Sequence, residues 1–409
     1  MKKLLILGVF IYLGATGLTY AALAFTQGSS SSGGLLSGLS PFQGEFIQSE
    51  IPEVEEGLRL AIDPNAPKTE ECPLNGELYT QVEAESWRAR RPLAVMVENS
   101  MDARPQSGLS SADVVYEAVS EGGITRFMPI FYCEAQRKDV LIAPVRSARQ
   151  FFVDMASEYN RPLYAHVGGA NGDDSDPRVR ALENIASYGW NLTTSLNQFS
   201  IGFPTYVRNA NRIPGKDVAT EHTMESSSER LWAVAEKRGW TNTSPDQTIR
   251  GKVVPGTEWS KDFRTWKFRD ELSSGERGSV AKIAYDFWSG YTDFAVEWTY
   301  NPETNAYARV MGKESHIDLN NNEQIEVKNV VVLQTREYSS VDIHKHNYLV
   351  TKGSGKAWIF RDGQVEQGTW SKKDREERTI LTDARGREVE FTRGSIWIST
   401  VNLETEPSY

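Results

Sequence analysis

The chemistry this sequence can offer rests on a small set of charged side chains. Arg104, Arg126, Arg146 and Arg149, with the carboxylates Glu98, Glu117 and Glu121, fall in one stretch from Arg91 to Gly169, each at the end of a short apolar segment or beside a turn. A guanidinium binds a carboxylate or phosphate through parallel N–H bonds. The set therefore suits an anion- or sugar-binding cleft, or else an internal network of ion pairs. His166 closes the apolar run Tyr164-Ala165-His166-Val167 ahead of two glycines, and His222 stands in Thr220-Glu221-His222-Thr223. Histidines with glutamates nearby are the equipment of general acid–base chemistry, although a histidine ending a buried strand is more often a hydrogen-bonded core residue than a base. There is no Gly-x-Ser-x-Gly elbow and no glycine-rich phosphate loop. Neither Cys72 nor Cys133 has a cationic histidine beside it to make a thiolate. An enzyme built from this set would be a carboxylate- and His-dependent hydrolase, suited to a glycan or another envelope polymer. Asp342, His344 and His346 share one loop, too few ligands for a metal centre, so no metal and no cofactor is expected.

These side chains need elements to hold them. Residues 93–97 read as a short buried strand bounded by Pro92 and Asn99. Residues 114–121 and 124–132 flank Gly122-Gly123, a two-residue turn that supplies the positive φ of a hairpin. In the second arm Ile124, Arg126, Met128 and Ile130 share a face, so Arg126 must find a partner or a ligand there. Pro129 in the same arm predicts an edge strand or a bulge. Ser147 is the expected N-cap of a helix over residues 150–159, placing Arg146 and Arg149 where helix N–H groups favour an anion. Residues 163–167 read as a strand; 177–187 and 225–239 read as amphipathic helices, the second ended by Gly239. Beyond Lys282 the pattern is of short strands. Hairpins are expected around Asn301-Pro302-Glu303-Thr304-Asn305 and Arg361-Asp362-Gly363, with further strands at 388–392 and 396–401. The fold class is α+β: a mixed α/β, sandwich-like N-terminal part and a β-rich C-terminal part.

Several motifs resemble those of one family. Cys72-Pro73-Leu74-Asn75-Gly76, Ala103-Arg104-Pro105-Gln106-Ser107-Gly108-Leu109, Glu121-Gly122-Gly123-Ile124-Thr125-Arg126-Phe127, Pro144-Val145-Arg146-Ser147-Ala148-Arg149 and Gly368-Thr369-Trp370 occur in the order seen in the YerB-like bacterial lipoproteins. That family is a domain of unknown function with an N-terminal and a C-terminal part, and the resemblance runs roughly from Cys72 to the end. It implies an N-terminal α/β domain at 72–250, a β-rich C-terminal domain at 280–405, and no established biochemical activity. It also implies a lipid anchor through a cysteine, yet no cysteine follows the N-terminal apolar run here.

Composition sets the address. A net charge of −10 argues against a general nucleic-acid binder, and 11% aromatic residues are enough for a substantial core. Lys2-Lys3 precede an uncharged run over residues 4–25, and no further Lys or Arg occurs before Arg59. Residues 1–25 thus read as a membrane anchor that leaves the bulk of the chain outside the cytoplasm, or as a signal peptide cleaved near Ala22-Leu23-Ala24. Residues 26–71 are Gly/Ser-rich and then acidic, a flexible linker. In an oxidising compartment Cys72 and Cys133 can pair. The expectation is a membrane-tethered extracytoplasmic envelope protein. Its ligand-binding surface would comprise Glu98, Arg104, Glu121, Arg126, Arg146, Arg149, His166 and His222, its partner a cell-wall component or an envelope protein. The alternatives are the hydrolase above and a structural module whose charges are paired internally.

Overall fold

The computed structural model describes residues 59–409 apart from Ala61, Pro64, Pro245 and Arg250. The apolar run at 4–25 and most of the expected linker lie outside the described residues. Among the described residues no helix is long and apolar enough to cross a membrane.

A mixed sheet of eleven strands organises the fold. In chain order these are β1 (Leu93–Val95), β2 (Val97–Glu98), β3 (Val114–Glu121), β4 (Ile124–Phe131), β5 (Leu163–His166), β6 (Ser195–Asn197), β7 (Asn329–Gln334), β8 (Gly353–Arg361), β9 (Gln364–Lys372), β10 (Ile380–Asp383) and β11 (Ile396–Val401). Across the sheet they run β10-β9-β8-β7-β11-β3-β4-β1-β5-β6, and β2 continues β1 along β4. The C-terminal strand β11 lies between β7 and β3, parallel to both, with Ile398 opposite Val331 on one side and Tyr116 on the other. N-terminal and C-terminal strands therefore form one hydrogen-bonded sheet in an α+β fold.

Side chains alternate between the faces of a strand. On β3, Val114, Tyr116 and Ala118 enter one core while Val115 and Val119 enter the other. The first face is covered by α1 (Gln81–Arg88), α2 (Gln150–Ala156) and α3 (Ala181–Ser187) through Trp87, Phe151, Phe152 and Ile185. The second is covered by α4 (Ser228–Lys237) through Leu231, Trp232 and Ala235. A small antiparallel sheet, Lys282–Tyr285, Val296–Asn301 and Ala306–Met311, covers the rest with Ile283, Trp298 and Tyr307. Covered on both sides, β7 is buried along its whole length, which is why it reads as a continuous apolar run.

Gly122 and Gly123 take φ of 57° and 81°, the twist-matched turn that joins β3 to β4. Pro129 does not make β4 an edge strand, because Pro129 pairs with Val115 of β3. On the opposite side β1 pairs with Phe131 and Ile130, and β2 with Phe127 and Arg126. Met96, between them, gives its N–H to Ala165 instead. The proline's missing donor thus coincides with a gap in the ladder.

The helix expected over residues 150–159 forms as Gln150–Ala156 and a 3-10 turn at Ser157–Tyr159, but Ser147 does not cap it. Residues 145–148 stay extended: Val145 bridges Val97, Ala148 bridges Gly169, and the Arg146 N–H bonds to Met96. Arg149 takes the N-cap position in an extended conformation without a side-chain cap. Backbone pairing with β-structure outcompetes the local serine cap. Cys72 and Cys133 are joined by a disulfide, Cα–Cα 6.1 Å, that fixes the start of the domain to the end of β4. Beside it the Asp113 carboxylate accepts the N–H groups of Tyr132, Cys133 and Glu134 and the amide of Asn75.

Candidate functional site

The end of the β3–β4 hairpin gathers much of the charge. Glu121, last in β3, is held by two guanidinium groups. Arg149 grips both carboxylate oxygens, Nε to Oε2 at 2.9 Å and NH2 to Oε1 at 2.7 Å, and Arg126 NH2 reaches Oε1 at 2.7 Å. The arginines also bond to the chain between them, Arg126 to the Ser147 carbonyl and Arg149 to that of Ala148. Burial pushes the Glu121 carboxyl up, but Arg126 and Arg149 outweigh it and hold it well below the usual carboxylate range. Arg126 itself is lowered to about 10 by burial and by the charge of Arg149.

Glu98 of β2 is the ladder partner of Arg126 and extends the cluster. Its Oε2 lies 2.8 Å from His222 Nδ1 and its Oε1 3.3 Å from Arg146 Nε. Arg146 NH1 donates to the Glu221 carbonyl at 3.0 Å, and its side chain is 28% exposed. Ser100 Oγ is 3.4 Å from His222 Nδ1, whereas His222 Nε2 makes no bond among the described residues. On the rim, Glu221 feels the charges of Arg146 and Arg208. Four guanidinium groups, Arg126, Arg146, Arg149 and Arg208, thus stand with three carboxylates, Glu98, Glu121 and Glu221.

Two residues of the expected surface, Arg104 and His166, lie elsewhere, as does Glu117 of the wider charged set. Arg104 donates to Asn99 Oδ1 and the Asp293 carbonyl, with its guanidinium 4.8 Å from the Phe294 ring centroid. His166 is fully buried, Nδ1 2.7 Å from the Gly168 carbonyl and Nε2 2.9 Å from Ser195 Oγ, and burial pushes it down to about 4. It is a neutral core residue that braces β5 against β6. Glu117, on the other face of β3, accepts from Thr125 Oγ1, Trp397 Nε1 and Arg309 NH2, the last at 2.6 Å with both side chains 0% exposed. Arg309 NH1 in turn donates to His316 Nδ1, and His316 Nε2 to Gln106 Oε1. Burial, then Arg309 and Arg104, keep His316 well below its ordinary value and so neutral. Arg309 was missed by the sequence reading, although the period-2 rule applied to Arg126 finds it: Tyr307, Arg309 and Met311 share a face.

Two cavities lie outside this cluster. The larger, about 820 Å3, is lined by Glu158, Lys261, Phe263, Lys372 and Arg378 among others. Lys372 pairs with Glu158 at 2.7 Å, while the buried Arg378 lies 3.6 Å from the same carboxylate and 3.5 Å from the centroid of the Trp266 ring, its guanidinium nitrogens without a hydrogen-bond partner among the described residues. The smaller, about 470 Å3, is lined by Trp288, Tyr291, Arg336, Glu337, Asn402 and Glu404 among others. Among the described residues one group has the density of a metal site, Cys72, Asp113 and Cys133. Its sulfurs are bonded to each other and its carboxylate is filled by N–H donors. In the 342–346 loop His346 pairs with Asp342 at 2.8 Å, and His344 with Asp174 at 3.2 Å.

Comparison with known proteins agrees with the fold. The family described as "Protein of unknown function (DUF3048) N-terminal domain" matches residues 79–241, and its C-terminal domain counterpart matches residues 283–398. A protein of Bacillus subtilis (strain 168) described as "Putative lipoprotein YerB" is 24% identical over 341 residues, 83% of this chain and 88% of the relative. The crystal structure of YerB protein from Bacillus subtilis superposes with a TM-score of 0.64 at 23% identity, covering 83% of this chain and 100% of that one, a likeness of fold. Both matched segments contribute strands to the single sheet.

Proposed function

From its place in the DUF3048 family, to which the chain belongs, we propose a membrane-associated extracytoplasmic envelope protein that binds an anionic ligand at the exposed margin of the Arg/Glu/His cluster. The carrying observation is Arg146. Arg126 and Arg149 are occupied by Glu121, but Arg146 is partly exposed, held at 3.3 Å from Glu98, and belongs to a cluster of four guanidinium groups and three carboxylates. A ligand carboxylate or phosphate taking its outer N–H groups gains a charge-assisted bond. The relative's description as a lipoprotein and the apolar run behind Lys2-Lys3 support the address. With both cysteines in the disulfide, the apolar run is the feature of this sequence that supports the proposed membrane association. The test is titration of the full chain with phosphate- or carboxylate-bearing cell-wall fragments. Arg146→Ala should weaken binding about tenfold or more, worth roughly 1.4 kcal/mol per tenfold, and should leave the melting temperature near that of the wild type. Unchanged affinity in that variant rejects the site.

A second reading has its own observation. Glu98 orients His222 through Nδ1 and leaves Nε2 unbonded, the arrangement of a carboxylate-positioned general base. It supports a hydrolase of an envelope polymer. Incubation of the chain with wall polymer, followed by mass spectrometry, separates hydrolysis from binding. Products that persist in both His222→Ala and Glu98→Gln would remove this dyad from the reaction.

A further inference from the structure

The cleft of about 470 Å3 contains none of the residues assigned to anion binding. Trp288, Ser289 and Tyr291 come from the turn between strands Lys282–Tyr285 and Val296–Asn301. Arg336, Glu337 and Ser339 follow β7, and Asn402 and Glu404 follow β11. Its size falls within the roughly 300–1,000 Å3 of small-molecule sites.

The aromatic wall is fixed in place. The Trp288 and Tyr291 rings stand 5.4 Å apart at 84°, forming a corner, and Tyr291 is 42% exposed. Tyr291 lies over the hairpin turn: a Cβ added to Gly123 would come within 2.2 Å of its ring. Trp288 Nε1 donates to Glu337 Oε1 at 3.0 Å, which pins the indole. The same oxygen accepts Asn347 Nδ2 at 2.8 Å, and the Asn347 N–H bonds back to Ser120 of β3.

The polar rim, by contrast, is left open. Glu337 Oε2 and the exposed Arg336 guanidinium make no bond among the described residues, and Ser289 and Ser339 are exposed beside them. A sugar ring presents a face of C–H groups that stacks on an aromatic ring and a rim of hydroxyls that needs both donors and acceptors. The cleft supplies both. Glu337 and Glu404 outnumber Arg336, which disfavours an anion and favours a neutral sugar. Burial raises the Glu337 carboxyl to about 7, so near neutral pH it can either accept or donate a bond to a hydroxyl.

We infer that this cleft is a subsite for a neutral glycan, with Trp288 and Tyr291 stacking the sugar and Glu337, Arg336 and the two serines holding its hydroxyls. The inference is independent of the anion site, since it uses other residues. The experiment titrates the full chain with the N-acetylglucosamine trimer and, in parallel, the glucose trimer, read by calorimetry and tryptophan fluorescence. The two arms distinguish an acetamido polymer from a plain glucan. Saturable binding of at least one trimer, between about micromolar and millimolar Kd, is expected. Tyr291→Ala should weaken it about tenfold or more, Tyr291→Phe should retain it, and Arg146→Ala should leave it unchanged. If Tyr291→Ala does not fold, Arg336→Ala decides: its exposed guanidinium makes no bond among the described residues, so the fold is kept, and weaker binding is again expected. Failure of both trimers to bind saturably, or affinity unchanged in these cleft variants, overturns the inference.

Discussion

At the scale of single residues, buried and exposed charges behave differently. Glu117 and Arg309 are both fully buried, and the arginine lies 4.5 Å from the Trp397 ring centroid. Glu117→Gln leaves a buried guanidinium without its counter-charge and should cost about 3–5 kcal/mol, a large share of a usual stability of about 5–15 kcal/mol. Urea unfolding measures it. The exposed pair Lys356–Glu406 is the control, and Lys356→Ala should cost no more than about 1 kcal/mol. Equal losses would refute the burial argument. Glu337 adds a pH dependence. Its folded pKa is raised by burial from 4.5 to about 7, so its contribution to stability is complete below pH 4.5 and is lost as pH rises through 7. Glu337→Gln should remove that share, making stability flatter between those limits. A profile identical to the wild type would show that Glu337 titrates normally.

At the scale of elements, the chain is tied by closures of different span. The disulfide joins residues 61 apart and holds the segment before α1 against the end of β4. Loop-closure entropy for that span gives about 4 kcal/mol. Reduction, or a Cys72→Ser/Cys133→Ser double substitution, should therefore shift the urea midpoint down strongly without changing the secondary structure seen by circular dichroism in native buffer. A midpoint unmoved by reductant would mean that the Asp113 bonds alone hold this corner. The β3–β4 hairpin was legible from Gly122-Gly123, and the β8–β9 hairpin from Asp362-Gly363, whose φ values are 51° and 66°. Both turns are local: two adjacent residues decide them. The Ser147 cap was also a local signal, and it was overridden because residues 145–148 found β partners at Val97 and Gly169.

At the scale of the whole molecule, the insertion of β11 between β3 and β7 governs cooperativity. Residues 72–250 expressed alone would expose the edge of β3 that β11 covers and the apolar face that Ile283, Trp298 and Tyr307 cover. That fragment should show poor amide dispersion and no cooperative melt, and should recover both when residues 280–409 are added. A cooperative transition in the fragment alone would show that the N-terminal part folds independently. The amino-acid sequence by itself determined the α+β class, the short strands and their glycine turns, and the residue types gathered near the hairpin, because these follow from periodicity and local backbone preference. Tertiary structure alone decided which charges meet. Glu121 is matched by Arg149 from beyond the next strand, Glu98 by a histidine 124 residues away and Glu117 by an arginine 192 residues away. Such pairings depend on strand order, and strand order depends on which edges remain unpaired once the local hairpins have formed.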